Sequence, residues 1–122
     1  MPTILIVDDD QLIREFLRIV LEENGYQVAE ADSGKAAILY LEQVEPSLII
    51  LDMCLGDMNG LDILPYVHLR CQSAKILAIS GRPFDGYKMC ETAKVLGAHD
   101  ALMKPFDVAT LVQRVAALLA QP

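Results

Sequence analysis

Short apolar runs alternate along the chain with longer stretches in which apolar residues recur at helical spacing. Thr3 to Val7 is β-branched and aliphatic, the pattern of a strand buried on both faces. Ile13, Phe16, Leu17 and Val20 then recur with helical period, and Asn24-Gly25 supplies a stop. Gln27 to Ala31 reads as a second strand. Ser33 can cap a helix whose inner face is Ala37, Ile38 and Leu41 and which ends before Pro46. Leu48 to Leu51 forms a third strand. Gly60 opens a helix through Ile63, Leu64 and Val67, where Pro65 is tolerable only near the first turn. Lys75 to Ile79 is a fourth strand, and a loop with Gly81, Pro83 and Gly86 leads to a helix that ends at Leu96 before Gly97. Ala101 to Met103 is a short fifth strand. Asp107 caps a last helix with Val108, Leu111, Val112, Val115 and Leu119 on its inner side.

Strands alternating with helices call for crossover connections onto one parallel sheet. The expected fold is therefore α/β, a doubly wound five-stranded parallel sheet with five helices, built as a single domain over residues 1–122. Neither a repeat nor a linker interrupts it. Hydrophobic residues make up 53% and charged residues 22%, which suits a globular chain with a real core.

Composition then removes several classes of function. A net charge of -7 disfavours a general nucleic-acid surface, which needs a basic patch. No apolar run approaches the length of a membrane span, about 18 residues. Met1-Pro2-Thr3-Ile4 lacks the basic start of a signal peptide, so a cytoplasmic location is expected. Cys54, Cys71 and Cys90 are widely separated and form no CxxC pair, which argues against zinc or a disulfide framework.

In such folds ligands bind beyond the carboxyl ends of the strands, near the point where strand order reverses. Those ends carry Asp8, Asp9 and Asp10 after the first strand, Asp52 after the third, Ser80 after the fourth and Lys104 before Pro105 after the fifth. Singly, each has an ordinary explanation: a turn, a loop hydroxyl, a solvated charge, and for Asp10 the cap of the helix that starts near Gln11. Together they define a site. Two carboxylates about 4 Å apart repel by roughly 4 kcal/mol at an effective dielectric of about 20, so crowding them calls for a cation. Mg²⁺ with oxygen ligands fits that need. Asp52 could then attack a metal-bridged phosphoryl group, with Ser80 and Lys104 holding its oxygens.

These residues resemble the response-regulator receiver domain, the phosphoacceptor module of two-component signalling. Ile4-Leu5-Ile6-Val7-Asp8-Asp9-Asp10 is similar to the family's opening strand and acidic pair, and Leu48-Ile49-Ile50-Leu51-Asp52-Met53 to its phosphorylation strand. Asp57-Met58-Asn59-Gly60 resembles the turn that follows, Ile79-Ser80-Gly81 the Thr/Ser position, and Met103-Lys104-Pro105-Phe106 the Lys-Pro motif. The resemblance implies a flavodoxin-like (βα)5 fold in which Asp52 is the phosphoacceptor. It implies Mg²⁺ held by Asp9, Asp52 and the backbone carbonyl of Cys54, with Asp8 acting through water, and Ser80 and Lys104 on the phosphoryl group. It further implies a cis bond at Lys104-Pro105 and a phosphohistidine donor on a sensor histidine kinase or histidine phosphotransfer protein. Output to an attached domain or a partner protein would pass through the face of helix four, strand five and helix five. The resemblance also allows a homodimer and implies neither membrane nor direct nucleic-acid binding by this segment.

The chain departs from the family pattern in three places. Gly56 replaces the usual Pro and is expected to loosen the phosphorylation loop. Ala101 replaces the switch aromatic. The loop Gly81-Arg82-Pro83-Phe84-Asp85-Gly86-Tyr87 is longer than in the chemotaxis response regulator, and Phe84 or Tyr87 is expected to pack against neighbouring helices, the alternative being that one of them takes over the aromatic role. Cys54 and Arg82 stand two residues beyond Asp52 and Ser80, where the family tunes phosphoryl lifetime. Other readings are weaker. An aspartate-nucleophile phosphohydrolase would carry a second Asp where Cys54 stands, and a flavodoxin-like mononucleotide binder would carry a Ser/Thr/Gly-rich loop after the first strand, where Asp8-Asp9-Asp10 would repel the phosphate. The intact site disfavours a phosphate-independent interaction domain.

Overall fold

The computed structural model describes residues 2–81 and 86–122. Its elements run β1 (Thr3–Val7), α1 (Gln11–Glu23), β2 (Gln27–Ala31), α2 (Gly34–Gln43), β3 (Leu48–Asp52), α3 (Ile63–Arg70), β4 (Lys75–Ser80), α4 (Gly86–Val95), β5 (Asp100–Met103) and α5 (Val108–Leu119). The five strands form one parallel sheet in the order β2-β1-β3-β4-β5. The doubly wound arrangement expected from the sequence is what the chain adopts.

Successive side chains of a strand point to opposite faces, so an unbroken apolar run serves a sheet covered on both sides. Leu5, Val7, Ile49, Leu51, Ile76 and Ala78 meet Ala37, Leu41, Ile63, Leu64, Val67 and Ala93 of α2, α3 and α4 on one face. Ile4, Ile6, Leu48, Ile50, Leu77 and Ile79 meet Leu17, Leu21, Leu111 and Val115 of α1 and α5 on the other. Every residue of the central strand β3 is buried.

Local signals place the helix ends. The Asp10 carboxylate accepts from the N–H groups of Leu12 and Ile13, Ser33 Oγ from Ala36 and the Asp107 carboxylate from Thr110. After α1 the chain reverses through Gly25 at φ +90°, a conformation that favours glycine. Pro65 is the third residue of α3, inside its first turn.

The structure differs from the sequence reading in detail. Gly60 opens a 3-10 turn, Gly60–Asp62, before α3 begins. Of the apolar residues recurring along α1, Phe16 is 40% exposed, while Leu17, Val20 and Leu21 are buried. Ile38 is only partly buried. On α5 the buried set is Leu111, Val115 and Leu118, spaced i, i+4, i+7, while Val108 lies beyond the core's edge and is exposed.

Candidate functional site

Strand register assembles the site. Val7 pairs with Leu51, Asp52 with Ile79, and Ser80 with Met103, so the next residues of β1 and β5, Asp8 and Lys104, emerge in the same row. Backbone bonds continue the sheet a step further, from Asp8 N–H to Ala31, from Met53 N–H to Ile79 and from Lys104 N–H to Ser80. β1 and β3 are neighbours although β2 lies between them in sequence, so the row sits where strand order reverses.

Asp8, Asp52 and Ser80 are the buried polar residues of the described chain. The carboxylates of Asp8, Asp9 and Asp52 each offer an oxygen within 4.8 Å of the others. Lys104 Nζ reaches Asp8 Oδ2 at 3.0 Å and Asp52 Oδ2 at 3.3 Å. The remaining oxygens accept backbone N–H groups, Asp8 Oδ1 from Asp10 at 2.9 Å and Asp52 Oδ1 from Cys54 at 3.0 Å. Burial, joined by the charge of Asp8, raises the Asp52 pKa to about 6 against the lowering by the Cys54 N–H and Lys104. Burial pulls Lys104 the other way, but its bonds to Asp8 and the charge of Asp52 prevail, and its pKa is raised. Among the described residues, one ammonium thus serves three carboxylates.

Two observations bear on what this site would hold, one on a divalent cation and one on an anionic oxygen. Hard oxygen donors from three carboxylates converge, the set that Mg²⁺ prefers. Among the described residues, Ser80 Oγ is also buried without a hydrogen-bond partner. An unpaired buried hydroxyl costs about 1–3 kcal/mol, and an anionic oxygen brought in by a bound ligand would satisfy it.

The loop between β3 and α3 is built around the same edge. Gly60 N–H bonds Met53 C=O at 2.9 Å within a bridge that pairs Cys54 with Asn59. That bond uses the carbonyl before Cys54, and among the described residues no backbone N–H outside the regular elements bonds the Cys54 carbonyl itself. A Cβ on Gly60 would stand 2.5 Å from the Asp52 carbonyl oxygen, so only glycine lets the loop fold back this closely. Asp57, which the sequence reading left without a task, ties the loop to a neighbour: its carboxylate accepts Gly34 N–H at 2.9 Å and Lys35 N–H at 3.0 Å at the start of α2. Those two bonds hold its pKa below the usual carboxylate value. Gly56 sits outside the left-handed region, between the Cys54–Asn59 bridge and the bonds of Asp57 to α2.

The Lys104-Pro105 bond is cis. Ala101 pairs with Ala78 and packs at the margin of the core. Tyr87 is 69% exposed, contrary to the packing role considered for it, while Arg82 and Phe84 lie outside the described residues. His68 is exposed, and His99 lies far from the row of carboxylates, where its Nδ1 accepts Ile76 N–H at 3.0 Å. That bond stitches the start of β5 to β4.

A parallel α/β sheet with an acidic cluster, a lysine and a hydroxyl at its switch point defines a phosphoryl-handling domain. Residues 4–116 match the family model of the response regulator receiver domain, and the chain belongs to that family. Its general role is that of a signalling phosphoacceptor in two-component systems. The chain is 38% identical, over 94% of its length, to the KDP operon transcriptional regulatory protein KdpE of Escherichia coli, of which it covers 50%. It is 37% identical, over 95% of its length, to a probable transcriptional regulatory protein of Picosynechococcus, of which it covers 48%. The chain therefore spans about half the length of these curated relatives. Among solved structures it resembles a two-component response regulator from Clostridium difficile, with a TM-score of 0.91 and 26% identity over 99% of this chain and 98% of that one. Among the described residues, no helix is long and apolar enough to cross a membrane.

Proposed function

We propose that residues 1–122 act as one receiver domain in which Asp52 takes a phosphoryl group from a phosphohistidine and releases it again to water, without turning over an external substrate. The observation that carries this reading is the buried Asp52 carboxylate, paired with Lys104 and flanked by Asp8, Asp9 and the unpartnered Ser80 hydroxyl. Asp9, Asp52 and the Cys54 carbonyl would hold Mg²⁺ directly, with Asp8 acting through water. When bound, the ion neutralises carboxylate charge and orients the incoming phosphoryl oxygens.

The chain's own groups then divide the work. The Cys54 N–H holds Asp52 Oδ1 and Lys104 holds Oδ2, which becomes the attacking atom as Lys104 turns to the phosphoryl oxygens. Oδ2 forms the new bond to phosphorus as the bond to the donor's imidazole nitrogen breaks, and the imidazole leaves with that electron pair. Lys104 follows the charge from the carboxylates to the phosphoryl oxygens, and Ser80 Oγ donates to another of them. The donor approaches over a cleft of about 340 Å³ lined by Ile13, Phe16, Gly81, Lys104, Pro105 and Phe106, which offers an apolar rest beside the site. A sensor kinase or phosphotransfer protein is the proposed donor. The face of α4, β5 and α5 is the proposed output surface toward an attached domain, a partner protein or a second copy.

The test is incubation of the chain with acetyl phosphate and Mg²⁺ followed by intact-mass measurement. A gain of one phosphoryl group in the parent and none in Asp52→Asn supports the reading. No gain in the parent, or an equal gain in the variant, overturns Asp52 as acceptor.

A further inference from the structure

Asp8 leaves β1 with its N–H bonded to Ala31 and its carboxylate bonded to Asp10 N–H and Lys104. Its carbonyl is held by a side chain: Arg14, from the start of α1, donates Nη1–H to Asp8 O at 2.7 Å. The same guanidinium donates Nε–H to Glu30 Oε1 on β2 at 3.1 Å. Arg18 binds the other oxygen of Glu30 at 2.6 Å, so Glu30 is gripped from two sides. Burial alone would raise the Glu30 pKa, but Arg18 and Arg14 outweigh it, and the value is lowered. The Arg14 side chain is only 14% exposed.

This bracket bears on the least supported member of the acidic cluster. Asp9 is exposed, and among the described residues its side chain makes no hydrogen bond that would fix it. The direction of its carboxylate therefore follows its backbone, whose leading peptide is the one Arg14 grips. A guanidinium presents donors along two directions of a rigid plane, so it can hold β2 and the Asp8–Asp9 peptide at once; an ammonium cannot hold that geometry.

We propose that Arg14, braced by Glu30, is a positioning residue that aims Asp9 at the cation site of the acidic pocket. This rests on the reading that Asp9 is a Mg²⁺ ligand. A mere surface ion pair would add up to about 1 kcal/mol of stability and leave the cation site unaffected. A group orienting a ligand typically changes metal affinity by about tenfold or more when removed.

The test uses the ¹⁵N-labelled chain titrated with MgCl₂, reading the amide shifts of Asp9 and Asp10, alongside urea unfolding without Mg²⁺. Arg14→Ala is expected to raise the Mg²⁺ dissociation constant about tenfold and to displace the Asp9 and Asp10 amides before any Mg²⁺ is added. Glu30→Gln should lower the urea midpoint while weakening Mg²⁺ binding less, because Arg14 keeps its bond to Asp8. Arg14→Lys, which retains charge and stem, should recover stability more fully than affinity. Mg²⁺ binding by Arg14→Ala within about twofold of the parent, or a loss that scales with stability across all three variants, overturns the positioning role. A parent chain that binds no Mg²⁺ overturns the reading of the site itself, and this inference falls with it.

Discussion

The proposed role makes Asp52 a nucleophile in a place that disfavours its charge. Burial and Asp8 raise its pKa to about 6, above the unfolded value of about 3.9. Between those values the unfolded chain has lost the proton that the folded chain still holds, so stability falls as pH rises through the window and stays lowered above it. Replacing Asp52 with Asn removes the cost of a buried charge and its repulsion from Asp8, offset in part by the pairing lost to Lys104. Asp52→Asn is therefore expected to be more stable than the parent at pH 7, on the order of 2 kcal/mol, with the gain shrinking toward zero by about pH 4. Urea midpoints at both pH values measure this, and a gain independent of pH would exclude the mechanism. Ser80 shows the same conflict without charge. Ser80→Ala removes an unpaired buried hydroxyl and should be at least as stable as the parent, yet it should take up phosphoryl from acetyl phosphate about tenfold more slowly or worse. Those outcomes together would set stability against phosphoryl uptake at both positions, the pattern of side chains kept for chemistry.

The segments carrying these residues are held by contacts that differ in how visible they are along the chain. Asp57 fastens the β3–α3 loop to the N-terminus of α2, so Asp57→Ala should release Gly34 and Lys35 to faster amide exchange and lower the urea midpoint. Its lowered pKa makes the tie present above the usual carboxylate range and lost as pH falls through it, so the variant and parent should converge in acid. Asp8, Asp52, Ser80 and Lys104 were legible because each ends or follows a run of strand residues, and a parallel sheet aligns such ends. Asp57 and Arg14 were not, because their partners Gly34 and Glu30 are 23 and 16 residues away and adjacent only after the sheet forms. The capping signals of Asp10, Ser33 and Asp107 act within a few residues and could be read directly. Phe16 belongs to the apolar periodicity of α1 but not to its buried face, because periodicity gives an apolar stripe and not its edges. On α1, Leu12, Phe16 and Ile19 are 75%, 40% and 59% exposed at i, i+4 and i+7, an outward stripe beside the cleft near Lys104. Phe16→Glu should slow phosphoryl transfer from a protein donor while leaving transfer from acetyl phosphate within about twofold, since the small donor needs no apolar rest.

Taken across the fold, the chain joins a rigid sheet to one strained edge. β3 is buried along its whole length and helices cover both faces, while the charge conflict is confined to the carboxyl ends of the strands. Asp52 ends β3 beside the β3–α3 loop, which Asp57 ties to α2, and beside β4, which ends on Ser80. A ligand that relieves the conflict binds the folded state alone, because the unfolded chain does not bring Asp8, Asp9 and Asp52 together. Its binding energy therefore appears as folding stability. At Mg²⁺ ten times its dissociation constant, the parent should gain about 1.4 kcal/mol, with the urea midpoint moving and the dependence on urea unchanged. Asp9→Asn and Asp52→Asn should each lose most of that increment, although Asp52→Asn starts from the higher stability. Matching Mg²⁺ gains in parent and variants would place the ion elsewhere on this acidic chain. A gain confined to the parent would tie the cation, the buried nucleophile and the stability of the whole sheet to one edge.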